Sequence, residues 1–412
     1  MFVYCLFCFP AKRRRKVHYL IITHRILRHI FCLRKKHQKK LLIGFISCTL
    51  ALPLTSDAQV WKKGLLVDEF VVENPPFPES HASTIAETPT GLVSAWFGGT
   101  KERNPDVCIW VSRQENGKWQ APQNVANGIV NDTLRYACWN PVLYQIHNGE
   151  LLLFYKIGPS PAKWKGWLKT SSDGGKTWSE ARALPEGYIG PVKNKPVLLS
   201  NGNLFCPSST EGSLGWRLHF EVTKDGGKTW RQVGPIQGDK DTQGIQPSIL
   251  DHGKGKLQIL ARSRNRAILT SWSYDNGETW TPLEKSNLPN NNSGTDALTA
   301  SNGKHYLIYN HVLPPGDLAK GPRTPLNLSV SNDGINWSAA LIVEDSPISQ
   351  YSYPSIIQTK DGLLHVIYTW RRQKIKHAVI NPKKLKIVKI TEGKWPVVKG
   401  YTAPQGGEIT KD

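Results

Sequence analysis

Short apolar runs separated by turn residues recur along the chain from about residue 60 onward. Residues 141–144 and 151–155, for example, are apolar or aromatic and flank the turn signal at 147–149. Six such signals occur, at residues 89–91, 147–149, 200–202, 253–255, 301–303 and 360–362. Apolar runs of this length around Gly- and Asn-containing turns are typical of β-hairpins. Because helical periodicity is absent between the turns, the pattern predicts an all-β protein.

A second turn signal follows most of these hairpins and ends in tryptophan. The residues DGGKTW occupy 173–178 and again 225–230, and related copies lie at 112–119, 273–280 and 331–337. An Asp followed by Gly supplies the side-chain acceptor and the positive-φ positions that a tight hairpin turn needs. The closing tryptophans are 59, 52, 50 and 57 residues apart. A period of about 50 residues indicates an array of repeated supersecondary units.

Two hairpin turns in each unit imply four strands in each unit. Six units therefore predict a six-bladed β-propeller of four-stranded antiparallel sheets. We assign residues 59–390 to this propeller and residues 391–412 to a C-terminal tail. Residues 60–72 are expected to add a strand to the last blade and so to close the ring.

The first 58 residues differ in composition from the rest of the chain. They hold 12 Lys and Arg but only one acidic residue, Asp57. A basic stretch at 35–40 precedes an apolar run of 14 residues at 41–54 and the small residues at 56–58, which is the order of a secretory signal peptide. A membrane-spanning helix needs about 20 apolar residues. We expect a basic extension plus signal peptide at 1–58, with an uncleaved signal anchor as the alternative.

This leader predicts export to the periplasm or the extracellular space, with no stable membrane span after signal cleavage. Cys108, Cys138 and Cys206 lie outside the leader and far apart, so we expect buried free thiols. No HExxH, paired CxxC, GxGxxG or phosphate-loop pattern occurs, so no metal or other cofactor is expected. Beyond the leader the basic excess is mild, which fits an acidic ligand or a solvated surface. We expect a monomer that binds no nucleic acid.

Polar residues recur where the predicted strands meet one face of the disc. In a propeller the first strand of each blade lines the central channel, and its start shares a face with the end of the second strand. Alignment of the first strands places at the channel mouth His81, Asn140, Lys195, Gln246, Asp296 and Tyr353. The second-strand ends add Lys101, Glu102, Lys156, Glu211, Arg262, Arg264, His311 and Arg371. Because desolvating so many polar groups without a ligand costs stability, this convergence favours a binding or catalytic site.

The tryptophan-ending turns, of the form S-x-D-x-G-x-T-W, resemble the Asp boxes (BNR repeats) of the sialidase (neuraminidase) superfamily. The resemblance spans roughly residues 80–385 and implies a six-bladed propeller. It also implies an exo-acting retaining glycoside hydrolase with a Tyr nucleophile, a Glu partner, an Asp acid/base and three arginines on the substrate carboxylate. Asp boxes indicate the fold more strongly than the activity, since other propellers carry them too.

Three segments are similar to the site of that superfamily. Residues 260–264, LARSR, resemble the strand that bears the second arginine and indicate Arg262. Residues 323–326, RTPL, resemble the segment that bears the third and indicate Arg323. Tyr353 opens the last blade, where the nucleophile belongs.

Three positions depart from the superfamily pattern. His81 stands where the first arginine belongs, and Glu102 is the nearest candidate for the acid/base. Residues 243–246 contain no acid where the usual Glu lies, so Glu211 is the candidate replacement. Arg holds a carboxylate with a two-pronged fork, whereas His offers one donor at a time. The loss of one of three guanidinium groups argues against sialic acid itself as the substrate more than against another anionic sugar.

Three hypotheses follow. In the first, a retaining hydrolase, Tyr353 attacks the anomeric carbon, Glu211 takes its proton and Glu102 protonates the leaving oxygen. The acidic sugar of the oligosaccharide or glycoconjugate is then bound by Arg262, Arg323, Arg264, Asn140, Lys195, Gln246 and Asp296. In the second, a polysaccharide lyase, His81 or Tyr353 removes the C5 proton of a uronate. In the third, a non-catalytic propeller binds glycans through Trp96, Trp139, Trp164, Trp167 and Trp370.

Overall fold

The structure is a computed structural model, and it describes residues 61–348 and 350–397. Six antiparallel sheets follow one another along the chain, which confirms the predicted six-bladed β-propeller. The expected leader at 1–58 lies outside the described residues, as does the tail from 398 onward. Among the described residues, no helix has the length and apolar character needed to cross a membrane.

Each blade contains four main strands, and blades I and V gain a short fifth. Blade I contains β2 (Glu79–Thr88), β3 (Gly91–Gly99), β4 (Cys108–Glu115), β5 (Lys118–Trp119) and β6 (Gln123–Ala126). Blade II contains β7 (Cys138–Gln145), β8 (Leu151–Ile157), β9 (Lys165–Ser171) and β10 (Arg182–Ala183). Blade III contains β11 (Val197–Leu198), β12 (Leu204–Gly212), β13 (Gly215–Thr223) and β14 (Arg231–Ile236).

Blade IV contains β15 (Gly244–Asp251), β16 (Leu257–Ser263), β17 (Ala267–Ser273) and β18 (Glu284–Pro289). Blade V contains β19 (Asp296–Thr299), β20 (His305–Tyr309), β21 (Leu326–Ser331), β22 (Trp337–Glu344) and β26 (Val388–Lys389). Blade VI contains β23 (Tyr351–Gln358), β24 (Leu364–Trp370), β25 (Lys374–Ile380) and β1 (Leu65–Phe70). A short 3-10 helix, Pro382–Lys384, follows β25.

The ring is closed by the start of the propeller. Strand β1 pairs antiparallel with β25, which confirms the predicted addition of residues 60–72 to the last blade. On the other side, β26 pairs with β22, and Trp395 lies 5.3 Å from Trp61 between ring centroids. The described part of the region beyond residue 390 therefore packs against the propeller.

The repeated hexapeptide forms the turn that the sequence predicts. In the first copy, Asp173 accepts backbone hydrogen bonds from Lys176 and Thr177 and a 2.6 Å bond from the Thr177 hydroxyl. These bonds hold the pKa of Asp173 below its ordinary value. The second copy repeats the same bonds around Asp225. The carboxylate accepts hydrogen bonds from several backbone N–H groups and one hydroxyl of the turn at once, so the same residues recur in each copy.

The tryptophans of these turns join neighbouring blades. Trp230 of blade III lies 6.1 Å from Phe154 of blade II, and Trp280 of blade IV stacks on Phe220 of blade III at 4.7 Å. Each motif thus fixes its own turn and buries an aromatic side chain against the preceding blade. Three cysteines, Cys108, Cys138 and Cys206, are buried and free, as expected.

The first strands of four blades share an irregularity at the channel mouth. Their pairing registers shift after His81, Trp139, Ile245 and Ser352. The shifts coincide with positive φ angles at Ala82, Asn140, Gln246 and Tyr353. A β-bulge with a residue in the left-handed region bends a strand and re-aims its side chains. The bulges therefore set which side chains enter the site.

Candidate active site

Tyr353 lies at the centre of the candidate site. Its hydroxyl oxygen accepts a 2.7 Å hydrogen bond from Nη1 of Arg262. The amide nitrogen of Gln246 lies 3.5 Å from the same oxygen. The backbone of Tyr353 has a φ of 51°, in the left-handed region that a bulky residue seldom adopts. The surrounding fold therefore holds this side chain in one orientation.

Arg262 is held by three further residues. Its Nε donates a 2.9 Å bond to the side-chain oxygen of Asn292, and its Nη1 lies 3.4 Å from Oε1 of Gln246. Its guanidinium also lies 5.4 Å from the ring centroid of Trp216. Asn292 belongs to the segment before β19 and has a φ of 61°, and no sequence signal marks it. The arginine is buried yet keeps Nη2 outside these bonds.

Arg323 supplies a second guanidinium at the same ring. It lies 5.8 Å from the ring centroid of Tyr353, and its Nη1 donates a 2.7 Å bond to Oε1 of Gln350. The structure therefore brings together Arg262 and Arg323, the two arginines that the sequence indicates. Two guanidinium groups beside one tyrosine side chain create a site suited to an anion.

His81 packs directly against Tyr353, with ring centroids 4.2 Å apart. Its Nδ1 is engaged with the hydroxyl of Thr369 at 2.9 Å, which leaves Nε2 outside that bond. Burial, and then the nearby guanidinium of Arg372, hold the pKa of His81 well below its ordinary value. The imidazole is therefore neutral near pH 7. In blade I the residue with a left-handed backbone is Ala82, and in blade VI it is Tyr353. The structural counterpart of Tyr353 is therefore Ala82, and His81 lies one position before it.

Lys193 lies beneath the ring of Tyr353, and the sequence alignment selected Lys195 instead. The ammonium of Lys193 donates to the carbonyl oxygens of Pro354 at 2.5 Å and Thr295 at 2.9 Å, and lies 5.9 Å from the Tyr353 ring centroid. Burial lowers the pKa of Lys193 to about 7. This lysine ties the residue after Tyr353 to the neighbouring blade.

Glu211 and Trp216 face each other at the end of the β12–β13 hairpin. The ring of Trp216 also lies 4.1 Å from the guanidinium carbon of Arg264. Burial raises the pKa of Glu211, and Arg262 and Arg264 oppose that shift. A carboxyl group with a raised pKa retains its proton at a higher pH and can act as an acid.

Glu102 forms an ion pair with Arg372, which the sequence reasoning missed. Both side chains are largely buried. Arg372 follows the end of β24. After burial, its positive charge is the largest contribution to the lowered pKa of His81. Positive charge therefore remains close to His81, where the superfamily has its first arginine.

Other sequence-indicated residues serve the framework. The buried carboxylate of Asp296 accepts bonds from Lys195 at 2.8 Å and from the backbone of Ile356 at 2.9 Å. Lys156 is fully buried, and its ammonium donates to the carbonyls of Pro191 and Asn140. These groups link different blades around the channel.

The other residues predicted at the second-strand ends make no recorded contact with Tyr353. Both ring nitrogens of His311 are engaged, one with the hydroxyl of Tyr309 and the other with the carbonyl of Gly393 at 2.9 Å. Arg371 lies over Trp370 at 5.1 Å, and Lys101 is exposed. Of the five candidate stacking tryptophans, Trp96, Trp139 and Trp164 are buried. The sequence reasoning missed Trp216, which lies at the site.

The described residues contain no group of three His, Cys, Asp or Glu side chains placed to hold a metal ion. The side chains at the site supply a phenol, a neutral imidazole, two guanidinium groups and a protonatable carboxyl group. Such a set can bind an anion and transfer protons beside it.

Comparison with known proteins agrees with this architecture. A family model described as a BNR repeat-like domain matches residues 90–366. No curated protein sequence matches the chain. The propeller is therefore of the BNR type, and sialidases are among the solved structures that share its fold.

Three solved structures illustrate the likeness. A protein of unknown function from Dyadobacter fermentans has a TM-score of 0.63 at 18% identity, over 77% of this chain and 100% of that chain. The Hadza microbial sialidase Hz136 has a TM-score of 0.63 at 16% identity, over 75% and 66%. The α-L-arabinanase of Penicillium chrysogenum, complexed with arabinobiose, has a TM-score of 0.56 at 17% identity, over 78% and 99%. At these identities the likeness establishes the fold alone.

Proposed function

We propose that this protein, which belongs to the BNR repeat-like domain family, hydrolyses the glycosidic bond of a terminal anionic sugar with retention of configuration. The observation that carries the proposal is the convergence of Arg262 and Arg323 on Tyr353. A guanidinium group recognises a carboxylate through parallel hydrogen bonds. The likeness of the fold to sialidases and an arabinanase supports a carbohydrate substrate.

The covalent step uses the phenol of Tyr353 as nucleophile. Its oxygen bonds to the anomeric carbon as the glycosidic C–O bond breaks, and the phenol proton passes to Nε2 of His81. Gln246 lies beside this oxygen but is an amide, so it orients the phenol without taking the proton. Arg262 stabilises the negative charge that develops on the oxygen during proton transfer.

Glu211 is assigned the acid role. Its raised pKa favours the protonated form, which gives a proton to the leaving oxygen. In the second step Glu211 takes a proton from water, the water oxygen attacks the anomeric carbon, and Tyr353 recovers its proton from His81. This assignment differs from the sequence expectation because Glu102 is paired with Arg372.

The test is product analysis after incubation with a panel of acidic glycans. Mass spectrometry should show products that have gained one water, and NMR of the first product should show the anomeric configuration of the substrate. Inverted configuration would exclude the tyrosyl intermediate. Binding of a glycan without any cleavage would instead support the non-catalytic reading.

Elimination is the second candidate, and one observation favours it. Tyr353 has an amide and a neutral imidazole as neighbours, where a Tyr nucleophile is ordinarily assisted by a carboxylate. In a uronate lyase, Arg262 neutralises the carboxylate, His81 removes the C5 proton and Tyr353 protonates the leaving oxygen. The product then contains a new double bond, gains no water and absorbs near-ultraviolet light.

We also propose that the leader directs export and is removed. N-terminal sequencing of the protein recovered from the periplasm or the medium should begin close to residue 59. Retention of the leader in a membrane fraction would favour the signal anchor. Light scattering of the mature protein tests the expected monomer.

A further inference from the structure

A cleft of about 450 Å³ lies between blades II and III, beside the candidate active site. This volume is within the range of about 300–1,000 Å³ that is usual for small-molecule sites. Its lining combines polar and apolar side chains, among them Trp164, Glu211, Leu214, Arg217, His219 and Gln232. Glu211 is the one residue named above that takes part in the proposed chemical steps.

Glu211 connects the cleft to the active site. It lines the cleft, and it also faces the charges of Arg262 and Arg264, which influence its pKa. Its hairpin partner Trp216 contacts both of these arginines. The tip of the β12–β13 hairpin is therefore a wall shared by the two regions. A glycan bound at Tyr353 that extends past Glu211 enters the cleft.

The base of the cleft is built from a buried pair. The carboxylate of Glu221 accepts bonds from the backbone of Ile189 and Gly190 and lies 3.1 Å from Nε2 of His219. These bonds satisfy the carboxylate and fix the imidazole ring of His219. At the outer edge, Leu214 stands 71% exposed at the hairpin turn. Fixed polar groups beside a small apolar surface are suited to a hydroxyl-bearing ring.

We propose that this cleft binds the sugar on the leaving side of the scissile bond. Arg217 lines the cleft and can donate hydrogen bonds to sugar hydroxyls, whereas the carboxylate of Glu221 is already bound by protein donors. The inference rests on the proposed function. It also gives Glu211 a reason for its position, because the acid then lies at the oxygen that joins the two sugars.

The test fills the cleft without touching Tyr353. Ser213 is exposed on the cleft side of the hairpin, and Ser213→Trp adds bulk there. Ser200→Trp, an exposed position in the turn at the opposite end of the same blade, is the matched control. Arg217→Ala is a second variant that removes a polar contact instead of adding bulk. The probes are the methyl glycosides of sialic acid and glucuronic acid, and trisaccharides that carry each acid on a neutral disaccharide.

We expect Ser213→Trp to lower kcat/KM for the cleaved trisaccharide by roughly tenfold or more, a loss of about 1.4 kcal/mol of transition-state binding. The rate on the methyl glycoside should stay within about twofold, since that substrate leaves the cleft empty. Arg217→Ala should shift the same ratio in the same direction, and Ser200→Trp should leave it unchanged. Equal losses on both substrates, or no loss on either, would overturn the proposal.

Failure of the proposed function gives a different result. If the wild-type protein cleaves no probe, hydrolysis is excluded, and calorimetric binding of the trisaccharides tests the cleft directly. Binding that is lost in Ser213→Trp and kept in Ser200→Trp supports the cleft as a sugar site. Trisaccharide binding that is the same in both variants, or absent in the wild type, contradicts it.

Discussion

The hydroxyl oxygen of Tyr353 accepts a 2.7 Å hydrogen bond from Arg262, a residue 91 positions earlier in the chain and two blades away. The bond places a fixed positive charge at the one phenol that both proposed reactions use. Tyr353 makes this bond from a β-bulge, with a backbone φ of 51° in the left-handed region.

Removal of the phenol oxygen should abolish catalysis. In Tyr353→Phe we expect kcat to fall by about 10²–10⁴, the range associated with loss of a positioned acid, base or nucleophile. Tyr351→Phe, two residues earlier in the same strand, is the control and should retain activity. Melting temperatures of both variants should stay close to that of the wild type. Full turnover by Tyr353→Phe would remove Tyr353 from the mechanism.

Arg262→Lys should weaken binding of anionic substrates. A lysine cannot keep the bonds to Asn292 and Tyr353 and also present a fork to a carboxylate. We expect kcat/KM to fall roughly 10- to 100-fold, since a hydrogen bond to a charged group contributes about 1.5–3 kcal/mol. Arg264→Lys is the matched control, because Arg264 packs on Trp216 without contacting Tyr353. Similar losses in both variants would indicate that the site responds to the loss of either guanidinium group, and would contradict a specific role of Arg262.

The pH dependence follows from two opposite shifts. Hydrolysis needs Glu211 protonated, and its pKa is raised above the ordinary 4.5, so activity is lost as pH rises through that higher pKa. It needs His81 neutral, and its pKa is well below 6.5, so activity is lost only at low pH. We expect kcat/KM to peak on the acidic side of neutrality. Glu211→Gln should remove the alkaline limb, and Glu102→Gln should keep it.

Gln246→Glu tests for the missing carboxylate. The substitution places an acid within reach of both the phenol oxygen and Arg262. In a hydrolase it supplies a proton acceptor for Tyr353, so we expect kcat to increase. Gln350→Glu is the control, because it adds the same charge beside Arg323. A large decrease confined to Gln246→Glu would favour elimination, in which the new charge competes with the substrate carboxylate for Arg262.

Lys193→Met tests how Tyr353 is held in place. The substitution leaves the carbonyls of Pro354 and Thr295 without this donor, so both stability and kcat should fall. Lys156→Met is the matched control: this lysine is also fully buried, its pKa is likewise lowered to about 7 by burial, and it donates to the backbone carbonyls of Asn140 and Pro191. It should lower the melting temperature without changing kcat. Equal activity in the two variants would make Lys193 purely structural.

Only some residues of the candidate site could be predicted from the sequence. Arg262, Arg323 and Tyr353 lie in segments with recognisable neighbours, and the structure brings them together. Asn292, Lys193 and Arg372 carry no such signal, because each lies in an irregular segment or at a strand end. Their roles arise from which backbone carbonyl or side chain the next blade presents.

The sequence by itself determined the repeat, and through it the blade count and the hairpin turns. This was possible because an Asp-Gly turn is stabilised by residues within a few positions of one another. Only the tertiary structure decided which polar residues surround Tyr353 and which serve the framework. Asp296 and Gln246 occupy similar places in the repeat. Asp296 accepts hydrogen bonds from Lys195 and from a backbone amide, whereas the side chain of Gln246 faces the phenol of Tyr353. That difference depends on bulge register and on contacts between blades, which bring together residues about 50 to 290 positions apart and leave no local pattern in the chain.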